Sequence, residues 1–133
     1  LWSVTSYKRL REEALATQRW NRLHPASEPR TPFVTERLSD AAGPIVAVTD
    51  YMRSVSDQIA PFAPRTFVSL GTDGYGRSDT REALRSFFEV DTPHVVIAVL
   101  SALADNGVVD TSVVGEAIDR YGVDTETAPP WER

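Results

Sequence analysis

The apolar positions of this chain fall into blocks divided by proline, glycine and acidic residues. Leu10, Ala14, Leu15, Ala16 and Trp20 recur near helical spacing behind Ser6, a good N-cap, and His24-Pro25 stops the run. That pattern predicts a helix of about four turns. Ahead of it, Trp2 to Thr5 reads as a short strand already under way at Leu1, which creates the expectation that the chain is a piece of something longer. Pro25, Pro29 and Pro32 mark a loop, and Thr31-Pro32 is expected to cap a short helix that reaches Ser39 and ends before Gly43.

From Pro44 to Thr49 the residues are almost continuously apolar, without alternation, as in a strand covered on both faces within a parallel sheet. Asp50 is expected to cap a helix from Tyr51 to about Ala60, and Pro61 and Pro64 separate it from a second strand, Thr66 to Leu70. Strand, helix and strand in succession imply a right-handed crossover. The expected class is α/β, a three-layer arrangement with a mostly parallel (mixed) sheet and helices on both faces.

Further on, Ser78 or Asp79 is expected to open a helix through Phe88, with Glu82 completing a reciprocal capping pair with Asp79. Asp91-Thr92-Pro93 and Asp110-Thr111 open two more. Between Val95 and Ala104 only Ser101 is polar, so this helix should be buried nearly all round or pressed against another subunit, and burial is the expectation. Asn106-Gly107 suits a left-handed stop, and Asp124 to Arg133 has no periodicity, which suggests an extended tail after a domain spanning residues 1–123.

Composition narrows the function classes. With 133 residues, 41% hydrophobic and 25% charged, the chain has the make-up of one globular domain. It has no cysteine, which excludes thiol chemistry and cysteine-type zinc sites. No apolar run approaches the roughly 20 residues of a membrane span, and no signal-peptide pattern opens the chain, so a cytoplasmic location without a membrane partner is expected. The net charge is −5, and residues 41–133 hold 14 acidic against seven basic side chains, so nucleic acid is not an expected partner.

The loop Gly71-Thr72-Asp73-Gly74-Tyr75-Gly76-Arg77-Ser78 follows a strand and precedes a helix, as an anion-cradling loop does. Its glycines have P-loop spacing, but Arg77 stands where the phosphate-binding lysine belongs, and Asp73 adds negative charge inside the loop. The dinucleotide fingerprint also fails, since Asp79 replaces its third glycine. A tight turn, with glycines at positive φ and Arg77 paired to Asp73 or Asp79, is the stronger reading. A P-loop-like nucleotide-binding module and a free-standing interaction domain remain alternatives. His24 and His94 have no ligand partners nearby in sequence, and no serine sits in a nucleophile-elbow setting. Trp2, Trp20, Phe67, Phe87 and Phe88 are assigned to the core, whereas Trp131 is a candidate for docking onto a partner.

Several stretches taken together carry a resemblance. They are Trp2-Ser3-Val4-Thr5-Ser6-Tyr7, Arg19-Trp20-Asn21 with Leu23-His24-Pro25, Thr49-Asp50-Tyr51-Met52, Leu70 through Asp79, Arg81-Glu82, and Phe88-Glu89-Val90-Asp91. In that order the chain resembles the C-terminal domain of the homodimeric-type pyruvate dehydrogenases of the transketolase superfamily. The resemblance implies a third domain with a five-stranded, mostly parallel sheet, here without its first strand and helix. It also implies a parent enzyme that uses thiamine diphosphate and magnesium to decarboxylate pyruvate and to acetylate the lipoyl group of dihydrolipoyl acetyltransferase. Its partners would be the rest of the parent chain and the second subunit of a homodimer. The superfamily's Gly-Asp-Gly motif with its distant asparagine is not matched, because Gly71-Thr72-Asp73-Gly74 inserts a threonine and the only asparagines are Asn21 and Asn106. No catalytic, cofactor-binding or metal-binding residue is therefore expected in this segment. Asp73, Tyr75, Arg77 and Asp79 are the candidates for an interdomain or dimer contact.

Overall fold

A computed structural model describes residues 1–133. Helix α1 spans Tyr7–Leu23, its Ser6 cap accepting from the Arg9 N–H at 3.3 Å, and it ends at His24, whose Nδ1 lies 2.8 Å from the Trp20 carbonyl. Helix α2 covers Phe33–Ser39, one residue later than expected: Pro32 is itself the cap, and Glu13 of α1 accepts the Phe33 N–H at 2.9 Å. Strand β1 is Ile45–Val48 and strand β2 is Phe67–Leu70, paired in parallel with Ile45 opposite Phe67 and Val48 opposite Leu70. Between them lie helix α3, Arg53–Asp57, and a 3₁₀ turn at Ala60–Phe62. Helix α4 is Arg81–Phe87, α5 is Thr92–Asp105 and α6 is Thr111–Tyr121.

The caps that depend on neighbouring residues form as expected. Asp91 accepts from the His94 N–H at 3.2 Å, Asp110 accepts from the Ser112 N–H at 2.9 Å, and Gly107 follows α5 at φ 70°. Two starts differ. Asp50 does not cap α3, because the chain bends at Asp50 and Tyr51 and the helix begins only at Arg53, so that Met52 takes the cap position. Neither Ser78 nor Asp79 caps α4. Thr80 does, accepting from the Ala83 N–H at 3.2 Å, so Glu82 forms no reciprocal pair with Asp79.

Trp2 to Thr5 is not a strand. The sheet has two strands, and no strand pairs with this segment to take up its ladder bonds. Trp2 is accordingly 58% exposed rather than in the core. The core proper joins Ala14 of α1, Val34 of α2, Ile59 and Phe62, with Tyr7, Leu10, Leu38 and Phe67 packed against it. Phe67 and Ser69 share one face of β2, and Ser69 meets the buried Ser56 hydroxyl of α3 at 3.0 Å. Burial raises the pKa of the Tyr7 phenol above its ordinary value.

Helix α5 packs on α6 and touches both strands, yet within this chain only its Ala102 is fully covered. The expected all-round burial is not reached, because two strands make too narrow a sheet to cover an apolar helix of 14 residues. The apolar stretch from Arg81 to Asp105 is broken into α4 and α5 by Glu89 at φ 57°. At 1.5 Å per residue, α5 alone is about 21 Å long, short of a bilayer core. Only 11 of the 133 residues are buried. The chain exposes 9039 Å², whereas a compact monomer of 14.7 kDa exposes roughly 6,900 Å².

Candidate functional site

The loop from Gly71 to Asp79 leaves the C-terminal end of β2, the end of a parallel sheet where ligands and partners usually meet an α/β fold. Gly71 is required by proximity, since a Cβ there would lie 2.6 Å from the Tyr51 carbonyl oxygen and 2.7 Å from the Arg53 nitrogen. Thr72 extends the same approach: its N–H donates to the Tyr51 carbonyl at 2.9 Å, and its hydroxyl to the Asp50 carbonyl at 2.9 Å. Of the three loop glycines only Gly74 has positive φ, at 123°. Positive φ is therefore not the common reason for the three.

The four contact candidates do not form one cluster. Asp73 turns inward and accepts both the backbone N–H of Arg53 at 3.2 Å and its Nε–H at 2.9 Å. Arg77 pairs instead with Asp79, loosely, at 4.0 Å. Its guanidinium lies 4.4 Å from the centroid of the Phe87 ring, which a second arginine, Arg133, approaches at 5.0 Å. Tyr75 is 87% exposed at the tip of the loop.

Residues 124–133, expected to extend away, instead return to this loop through a 3₁₀ turn at Pro130–Glu132. A Cβ on Gly74 would stand 2.9 Å from the Pro130 carbonyl oxygen. Arg53 lies 4.6 Å from the Trp131 ring centroid, and Arg133 donates to Glu89 at 2.7 Å and to the Phe87 carbonyl at 3.2 Å. Asp124 starts the return by accepting from the Glu126 N–H and the Thr127 hydroxyl, which hold its carboxyl below its ordinary range. Sequence reasoning missed Arg53 and the tail as parts of the site. Trp131 was singled out only for docking onto a partner, whereas its ring meets Arg53 of the same chain, and the density of charge in the loop does not name a distant residue.

The loop does not enter a helix as a P-loop must. Helix α4 begins at Arg81, beyond Thr80, so Ser78 stands outside its first turn. Nor do the residues fit a diphosphate-bound magnesium. No three His, Asp or Glu side chains converge. The oxygens of the types such a site needs are drawn into bonds within the chain: Asp73 Oδ2 accepts from Arg53, Asn21 Oδ1 from the Arg30 N–H at 2.8 Å, and Asn106 Oδ1 from the Thr66 hydroxyl at 2.9 Å. His24 stacks on Trp20 with ring centroids 4.4 Å apart, and the His94 Nδ1 faces Asp91 at 2.5 Å, so both histidines are occupied at helix ends.

On its α4 side the loop borders a cleft of about 370 Å³ whose walls include Asp50, Tyr75, Arg77, Arg81 and Arg85 over a floor containing Phe88 and Val90.

Residues 1–91 match the model of the transketolase-like TK C-terminal domain. The chain is 50% identical over 131 residues to a pyruvate dehydrogenase E1 component of Pseudomonas aeruginosa, covering 98% of this chain and 15% of that relative. It is 48% identical over 128 residues to the protein of that name in Mycolicibacterium smegmatis (96% of this chain, 14% of the relative), and 43% identical over 131 residues to the one in Escherichia coli K12 (98% and 14%). The chain thus spans about 15% of the length of the curated relatives it matches.

Proposed function

The chain belongs to the transketolase-like C-terminal domain family, and from that premise we propose that it is the C-terminal domain of a thiamine diphosphate-dependent pyruvate dehydrogenase. The parent decarboxylates pyruvate and passes the acetyl group to the lipoyl arm of dihydrolipoyl acetyltransferase. The observation that carries this reading is the 50% identity to a pyruvate dehydrogenase E1 component over 98% of the chain.

Within the parent, the segment supports the chemistry without performing it. Thiamine diphosphate and magnesium are held by other parts of the protein, in keeping with the intrachain engagement of Asp73, Asn21 and Asn106. Its work is to pack against the rest of the parent chain and the second subunit of a homodimer in the cytoplasm, with no part for nucleic acid or membrane. The surface supports this role: the chain exposes 9039 Å², an excess of roughly 2,000 Å² over a compact monomer of its mass. That is the scale of a stable interface. Trp2, Phe33, Met52 and Tyr75, each at least 46% exposed, contribute to it. Asp73, Tyr75, Arg77 and Asp79 are assigned to the interdomain or dimer contact, Asp73 by fixing the loop and the others by facing outward.

Arg77→Ala in the full parent should weaken dimerisation or turnover, and unchanged sedimentation together with unchanged turnover would reject the loop's assignment. The isolated chain should neither bind thiamine diphosphate in a calorimeter nor decarboxylate pyruvate. Tight binding by this segment alone would overturn the supporting role.

A further inference from the structure

We propose that the cleft between the Gly71–Asp79 loop and α4 is a binding site for a small organic anion, a phosphate or carboxylate carried on an apolar body. The inference does not depend on the parent's reaction; it rests on the cleft and requires that the contact assigned to Tyr75 and Arg77 leave the Arg81 and Arg85 side of that cleft open.

Charge is the first ground. A chain of net charge −5 gathers Arg77, Arg81 and Arg85 around one cleft of about 370 Å³, against a single lining carboxylate, Asp50. Arg81 and Arg85 follow each other by one helical turn, so they share a face of α4. Neither makes an ion pair or a side-chain hydrogen bond within the chain, whereas Arg53 and Arg133 both find carboxylates. Arg77 keeps only the 4.0 Å contact to Asp79, and its packing on Phe87 fixes where the guanidinium sits. Three guanidinium forks, two of them without acceptors, match the several oxygens of a phosphate or carboxylate.

Shape is the second ground. Phe88 and Val90, 8% and 7% exposed, floor the cleft with apolar surface, and the ring of Tyr75 stands beside it. Its volume lies in the range of small-molecule sites, and it opens at the C-terminal end of β2. A free inorganic ion would leave that floor uncovered, so an apolar body attached to the anion is the better occupant.

The test uses the full parent chain, with phenyl phosphate and inorganic phosphate as probes in titration calorimetry. Phenyl phosphate should bind at least tenfold more tightly than inorganic phosphate, and the double variant Arg81→Ala/Arg85→Ala should lose at least tenfold in phenyl phosphate affinity. The variant Arg81→Lys/Arg85→Lys, which keeps the charge and the exposed helix surface, should fall between the two, and it carries the test if the alanine variant fails to fold. Equal affinity in the wild type and a folded double variant would overturn the proposal. So would the absence of phenyl phosphate binding by the wild type, and if the double variant also lost its dimer, the arginines would belong to protein contact instead.

Discussion

One carboxylate oxygen of Asp73 accepts two hydrogen bonds from a single residue, Arg53, at 3.2 Å from the backbone nitrogen and 2.9 Å from Nε. Arg53 opens α3, whose own cap residue, Met52, supplies no side-chain acceptor. Asp73 therefore does for α3 what an N-cap does for other helices, from 20 residues away. The same arginine carries the Trp131 ring, so loop, helix and tail meet at one ion pair.

Asp73→Ala should loosen all three together. The pair is partly exposed, 38% on the arginine side chain and 28% on the aspartate, so a loss of about 1 kcal/mol is expected rather than the larger cost of breaking a buried pair. In hydrogen exchange on the full parent this appears as an approximately fivefold faster opening of the first turn of α3 and of residues 124–133. Acceleration in only one of the two segments would break the link between them.

Gly74→Ala and Gly76→Ala should differ sharply. An alanine at position 74 meets a φ of 123° and a Cβ 2.9 Å from the Pro130 carbonyl, so the tail must detach or the loop must shift. At position 76 nothing lies within 4 Å of the added carbon and φ is not positive. Limited proteolysis after residue 123 should accelerate several-fold for the first variant and stay at the wild-type rate for the second.

What the sequence made legible follows from range. Ser6, Asp91 and Asp110 bond to nitrogens two or three residues onward, so the chemistry of a short window identifies them. The parallel pairing of Ile45–Val48 with Phe67–Leu70 was foreshadowed by two apolar runs on either side of a helix, because a crossover leaves few alternatives, whereas the register came only with the fold. Trp2 to Thr5 carries the residue types of a strand, but a strand exists only beside another, and here it has no neighbour. Asp73 illustrates the same limit at the site: its charge pointed to Arg77 nearby, and the fold delivered Arg53 from the segment that follows the neighbouring strand. Arg81 and Arg85 were visible as residues, while the cleft they face depends on where the loop lies.

Asp91→Ala tests the cap of α5. Its carboxylate accepts from the His94 N–H and faces the His94 ring, so its removal leaves the first turn of an apolar helix without a side-chain acceptor. A local destabilisation of about 1 kcal/mol is expected, and Asp91→Asn should retain most of the stability because its amide oxygen can accept the same N–H. Faster amide exchange confined to the N-terminal half of α5 is the readout. Equal behaviour of the two variants would assign the effect to the His94 ring contact instead of the cap.

Asp110 gives a pH dependence whose sign is fixed. Hydrogen bonds from Ser112, first its backbone N–H and then its side chain, lower the carboxyl pKa below the ordinary value of 3.8. A carboxyl group depressed in the folded chain adds stability that is fully present above its unfolded pKa and is lost as pH falls through the folded value. The start of α6 should therefore stay closed at neutral and mildly acidic pH and begin to open only below the ordinary carboxylate range. Asp110→Asn keeps an acceptor but removes the titration, so amide exchange at the N-terminus of α6, corrected for the intrinsic pH effect, should become flat across that acidic window. A wild-type helix start that opens equally at every pH, or an asparagine variant that keeps the acid step, would show that the Asp110 carboxylate is not the group holding the turn.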